Sequence, residues 1–336
     1  MAAVMAVGII TQGVFTNYFS FVDTNIFGKL LSAFTISLWA SFLFSLVLAF
    51  RDRQFINIHY DNPINRFGIG TWVASTSVCS ILISNNFPER LQLVKYVTIL
   101  NVILWMTYII ISIIALRDIH RLELTNKVHG ILLLTTVSTQ SIVLLLNTVF
   151  KEKVAFYINI SLLLVGTLFY IICAILILNR YLKSYKSLNI EDEWQNTNCI
   201  LHGAVSITGL ACILSNAFDD LMITLLWVIA ASVFLVVELV EIYRLFKRIK
   251  RFGIWDGLFI YDVTQWSRIF TFGMFYALTF RSYTGVGSYS QVQKLVISVG
   301  VWVILLLIIF EFILSIRGII NLSVKDTRQS KKVVDR

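Results

Sequence analysis

Polar residues in this chain are gathered into short connections between long apolar runs. The runs cover roughly residues 3–20, 28–50, 67–84, 91–116, 128–149, 154–178, 199–217, 221–245, 258–280 and 295–317. They are continuous and do not alternate with period two, which predicts helices rather than the strands of a membrane barrel. Most are long enough for a hydrocarbon core of about 30 Å. The first, third and seventh are short, as suits helices shielded inside a bundle. The pattern therefore predicts an all-α polytopic membrane protein with ten transmembrane helices.

The ten spans are of two kinds. Odd-numbered spans carry a recurring glycine, at Gly8, Gly70, Gly130, Gly203 and Gly273, with threonine, serine and glutamine nearby. Several even spans are greasier, as in ISLLLVGTLFYIICAILIL and VWVILLLIIFEFIL. The glycines are about one helical hairpin apart, and His-Gly occurs twice at equivalent places, His129-Gly130 and His202-Gly203. This predicts a repeat of five hairpins in pseudo-five-fold arrangement around a central pore, odd helices inside and even helices toward lipid. A plainer reading is that small residues let helices approach closely.

Charge fixes an expected orientation. Twenty lysines and arginines fall in one set of connections and the C-terminal tail, and seven in the other set, with Arg268 inside a span. By the positive-inside rule both termini are expected in the cytoplasm. The connections on the opposite side are short, which makes spans 3–4, 5–6 and 7–8 tight hairpins. No basic segment precedes the first span, so no cleavable leader is expected. Residues 1–336 read as a single transmembrane domain in the cell (plasma) membrane.

Composition agrees and adds exclusions. The chain is 57% hydrophobic and 14% charged, with a mean hydropathy of +0.80. Its net charge of +9 belongs to the connections, and no nucleic-acid partner is expected. Cys79, Cys173, Cys199 and Cys212 lie in apolar spans and read as small core residues. Four histidines show no HxxH spacing, so no metal site is expected. Gly68-Ile-Gly70 continues to Val73 and is no dinucleotide fingerprint. No cofactor is implied, and no nucleophile–base pairing suggests an enzyme.

Three stretches carry a resemblance: Met5 to Ile10 (MAVGII), Asn62-Pro63 leading to Arg66-Phe67, and Thr271-Phe272-Gly273-Met274. They resemble the tellurite-resistance/dicarboxylate-transporter family, which includes the bacterial TehA channels and the plant slow-type guard-cell anion channels. The last stretch looks like that family's Thr-Phe-Pro-Met on its ninth helix. Length, span count and termini agree across essentially the whole chain. The resemblance implies a homotrimer, one pore per protomer formed by the odd helices, and a phenylalanine of the ninth helix that occludes it. One departure stands out. This chain has only Pro63 and Pro88, both in connections, so glycines would have to replace prolines as bend points of the pore helices.

The expected site follows. Asp262–Phe280 is read as one helix with Phe272 as pore gate and Gly273 as its hinge. Candidate pore-lining residues are Gly8, Thr11, Gly70, Thr71, Thr135, Thr139, Gly203, Ser206, Thr271 and Tyr276. Arg268, one turn before Phe272, reads either as an anion-attracting vestibule charge or as an ion-pair partner of Asp262, Glu238 or Glu241. His129 and His202 begin odd helices, where capping or interfacial packing is expected.

Two functions remain open. One is a channel for small monovalent inorganic anions such as chloride and nitrate. The other is a secondary transporter exporting dicarboxylate, sulfite or tellurite-type oxyanions. A titratable group in mid-pore would favour the carrier, and the acids near spans lie mostly toward the cytoplasmic ends. A seven-span receptor fails on span count.

Overall fold

The computed structural model describes residues 1–19, 24–51, 55–184 and 189–334. Arg53, Lys186 and Arg336 of the basic set lie outside these residues. Ten long helical segments correspond to the ten apolar runs. Helix α1, Ala2–Ile9, continues through wider π-type turns at Ile10–Phe15 to Thr16–Tyr18. It is followed by α2, Thr24–Arg51, α3, Gly70–Asn86, and α4, Leu91–Arg121. Next come α5, Leu134–Phe150, α6, Phe156–Ser184, and α7, Ile200–Ser215. The last three are α8, Asp220–Leu258, α9, Gln265–Ser282, and α10, Ser290–Val334. Among the described residues there is no strand.

Three of the odd helices open alike. A tighter 3-10 turn, at Asn65–Ile69, Gly130–Leu133 and Asn196–Cys199, leads into α3, α5 and α7. One boundary differs from the hydropathy reading. Helix α8 runs on to Leu258 through a break at Gly253, whose φ of 80° is open to glycine. Helix α9 therefore starts at Gln265, and Asp262 belongs to the connection before it, outside the helix.

The odd helices form a closed ring. Helix α1 packs on α3, α3 on α5, α5 on α7, α7 on α9, and α9 back on α1. Each outer helix fills the groove between two inner neighbours: α2 on α1 and α3, α4 on α3 and α5, α6 on α5 and α7, α8 on α7 and α9. Helix α10 lies along α9 and meets the end of α1 through Trp302, against Tyr18 and Phe19. Burial follows this plan. Within their most apolar 18-residue windows, α3, α5 and α7 are 67%, 78% and 83% buried, whereas no even helix exceeds 39%.

Among the described residues, eight helices are long and apolar enough to cross a membrane. The first, Ala2–Tyr18, is shorter, and α9 is not among the eight. Both belong to the inner ring, where protein surrounds them and lipophilic side chains are not required. The outer helices show the opposite, with Phe44, Leu100, Leu164, Leu235 and Leu306 exposed.

Most threonine and serine hydroxyls described on the inner helices donate to backbone carbonyls or pair with another side chain, as a low-dielectric setting demands. Three tryptophans of outer helices donate their indole N–H to an inner threonine. They are Trp39 to Thr76 at 3.1 Å, Trp105 to Thr139 at 3.0 Å, and Trp227 to Thr279 at 2.9 Å. The four cysteines are buried and unbridged.

Candidate permeation axis

The first turns of the five inner helices converge. A cavity of about 10 Å³, on the order of one water, is lined by Ala2 and Met5 of α1, Thr71 of α3, Leu134 of α5, Ile200 of α7, and Ser267 and Phe270 of α9. Every inner helix contributes, and always through its N-terminal part. The five helices therefore run parallel, with their N-terminal ends at one mouth. Two hydroxyls supply the polar part of the lining, and that of Thr71 donates to the Gly68 carbonyl at 2.7 Å. One helical turn further along the same faces stand Ile9 and Met274, both buried.

The recurring glycines lie between the inner helices. A Cβ on Gly8 of α1 would overlap Val78 of α3. One on Gly70 of α3 would come within 2.9 Å of the Leu134 carbonyl of α5, and nearer still to Tyr108 of α4. One on Gly130, before α5, would overlap the Thr197 carbonyl before α7, and one on Gly203 of α7 would overlap Thr271 of α9. One on Gly273 of α9 would stand 2.8 Å from Ile9 of α1. Each glycine thus marks the close approach of one inner helix to the next, and the five contacts close the ring. For Gly8, Gly70, Gly203 and Gly273 this corrects the pore-lining and hinge readings in favour of packing, because the missing side chain faces a neighbouring helix. Helix α9 runs through Gly273 without a break.

Of the other expected lining residues, Thr71 reaches the cavity. Thr11, Thr135, Ser206 and Thr271 are buried, and their hydroxyls donate to carbonyls of their own helix or its entry turn, Val7, Leu132, His202 and Arg268. Thr139 donates to the Thr135 carbonyl while accepting from Trp105. Tyr276 faces α10, where a methyl group at Gly300 would touch its ring.

Two phenylalanines of α9 face different surroundings. Phe270 lines the axial cavity and is 2% exposed. The Phe272 ring sits 4.9 Å from that of Phe234 on α8 and 6.0 Å from that of His202 on α7. A shift of two residues turns a side chain by about 200° around a helix, enough to move it from the axis to the outer layer. Ala2, Met5, Leu134, Ile200 and Phe270 escape sequence reading because apolar residues in an apolar chain give no signal of their own, and Ser267 lies outside the glycine register. Only ring closure tells the axial face from the others.

Arg268 faces the same outer groove as Phe272. Its guanidinium lies 3.0 Å from Glu241 and 3.9 Å from Glu238, both on α8. Glu241 also pairs with Arg244 at 3.0 Å, and Arg244 donates to Asn196 at 2.6 Å. The ion-pair reading of Arg268 finds its partners in Glu238 and Glu241. Asp262 instead accepts from Asn196 and Thr264. His129 approaches Thr197 at 2.7 Å and helps seat the entry of α5 on that of α7.

A bundle of this kind, with an inner ring of parallel helices, an outer layer toward lipid and a narrow axis reached from one mouth, is a membrane protein built to pass a small solute. The model of the voltage-dependent anion channel family matches residues 1–316, and the chain belongs to that family. The resemblance seen in the sequence is borne out, and anion transport through the membrane, rather than enzymatic chemistry, is the family's work. No curated protein matches the chain.

Proposed function

We propose that the chain is a passive channel for small monovalent anions, chloride and nitrate among them, with the axis of odd helices as its pore. The observation that carries this is the cavity to which all five inner helices contribute their N-terminal turns. Helix N-termini carry the positive ends of the backbone dipoles, so the mouth where five of them meet favours anions. The basic connections lie at the same end and add to the field. The lining offers two hydroxyls and otherwise apolar groups, which suits the weak binding that conduction requires. It includes no titratable group, which weighs against the secondary transporter of dicarboxylate, sulfite or tellurite-type oxyanions.

The basic end is taken as cytoplasmic and the membrane as the plasma membrane. A homotrimer with one pore per protomer follows from the resemblance alone, and the mass of the purified assembly decides it. A cavity with room for about one water needs an opening step before an anion can pass, and the aromatic ring in its lining is Phe270. In chloride-loaded liposomes, Phe270→Ala should raise anion flux many-fold over the parent chain. Phe272→Ala should mainly loosen the packing of α7 against α8 and α9, lowering the melting temperature with little gain in flux. The reverse outcome would return the gate to Phe272. Reversal potentials under anion substitution separate the channel from a coupled carrier.

A further inference from the structure

Beside the axis lies a cluster of buried charge that conduction by itself does not require. His202 of α7 is fully buried, and neither of its ring nitrogens has a hydrogen-bond partner. Its Nε2 stands 3.9 Å from Oε1 of Glu238, an oxygen that is also buried and unpartnered. Oε2 of Glu241 and Nε of Arg268 complete the group of unpartnered atoms. Buried polar atoms are nearly always paired, so a concentration of them on three facing helices calls for a reason. Separations of 3.9 Å leave room for the contact to shorten once a proton is added.

We propose that His202 and Glu238 form a buried proton-binding site, held in place by Arg268, whose occupation by a proton promotes anion entry from the basic end. The charge balance supports it. Glu238 and Glu241 are matched by Arg244 and Arg268, so the cluster is neutral while His202 is neutral. A proton taken up by the His202–Glu238 pair leaves one net positive charge on the cluster. That charge would lie close to the path. His202 follows Ile200, a residue of the axial cavity, by two positions on α7, so the charge would act on the path from the opposite side of that helix.

The charged groups facing His202 are Glu238 from α8 and Arg268 from α9, with Glu241 paired to Arg268 behind them. Arg248 lies one turn beyond Arg244 on α8. From α6, Tyr181 reaches the entry of α7 through Asn198, at 2.8 Å. A polar path leads out to solvent, from Glu241 through Arg244 and Asn196 to the exposed Asp262. The Phe272 and Phe234 rings close the site on the other side.

The proposal rests on the channel reading, and its test separates the two. The full chain in liposomes is assayed for chloride flux with pH clamped between about 5 and 8. The parent chain should conduct about five-fold more, or better, at the acid end. His202→Gln should abolish that response. Glu238→Gln removes one negative charge permanently, so its flux at neutral pH should already match that of the acidified parent. An acid response retained in His202→Gln, or a Glu238→Gln flux no higher than the parent's at neutral pH, overturns the proposal. Nitrogen-15 spectra of the histidines provide a readout that needs no conduction. The resonance lost in His202→Gln should shift as pH is lowered, in step with the flux. A His202 resonance that stays fixed also overturns the site. If the parent chain conducts at no pH, the channel reading fails and the spectrum alone decides the proton site.

Discussion

At the scale of single residues, the five repeated glycines are the most informative positions in the chain. What each one faces sets the cost of replacing it. A methyl group at Gly130 would run into the Thr197 carbonyl, backbone that cannot turn aside, whereas one at Gly68 meets nothing nearer than the end of Ile131 at 3.8 Å. Gly130→Ala should therefore destabilise the fold by about 1–3 kcal/mol through overpacking, and Gly68→Ala should change it little. Thermal melts in mild detergent check the pair, and equal melts would show that the α5–α7 contact yields more readily than its geometry suggests. The same residues show where sequence reading stops. The glycine period was visible at Gly8, Gly70, Gly130, Gly203 and Gly273, but a period does not say which way a missing side chain points.

At the scale of elements, α7, α8 and α9 are tied together by charge rather than by size. Arg268 is 14% exposed and serves two carboxylates that are similarly enclosed. Taking away one member of a buried ionic group leaves the others unpaired and costs about 3–5 kcal/mol. Arg268→Ala should thus lower the melting temperature strongly. A free vestibule charge would behave otherwise, leaving stability intact and reducing conductance more at low salt than at high salt. Melts and currents recorded on the one variant distinguish the two roles. The sequence offered Glu238 and Glu241 as partners because α8 carries them one turn apart. It offered Asp262 equally, and that choice failed because α9 begins three residues after it and Asn196 takes the carboxylate instead.

At the scale of the whole molecule, the parallel inner ring puts five helix N-termini and most of the basic residues at one end. If that end is cytoplasmic, single-cysteine labels at Lys127 should react only after the membrane is permeabilised, and labels at Gly285 should react in intact cells. Labelling in the opposite sense would invert the molecule and make the anion-favouring mouth an external one.

The sequence by itself determined the membrane class, the number of helices, the five-hairpin repeat and the division into inner and outer sets. Each of these follows from how many apolar residues stand together and how often small and hydroxyl residues interrupt them, quantities that are local to the chain. The family was legible as well, since short motifs in fixed order need no folding to be recognised. Only the tertiary structure decided which face of each inner helix meets the axis. Inside the ring, lipid is absent from every side, so the hydrophobic contrast that separates the two faces of an ordinary helix vanishes. Hydropathy along the chain cannot then tell Phe270 from Phe272, two residues apart on α9. The choice is made by the neighbours, with α8 receiving Phe272 and Arg268, α1 fitting against Gly273, and Phe270 left facing the centre.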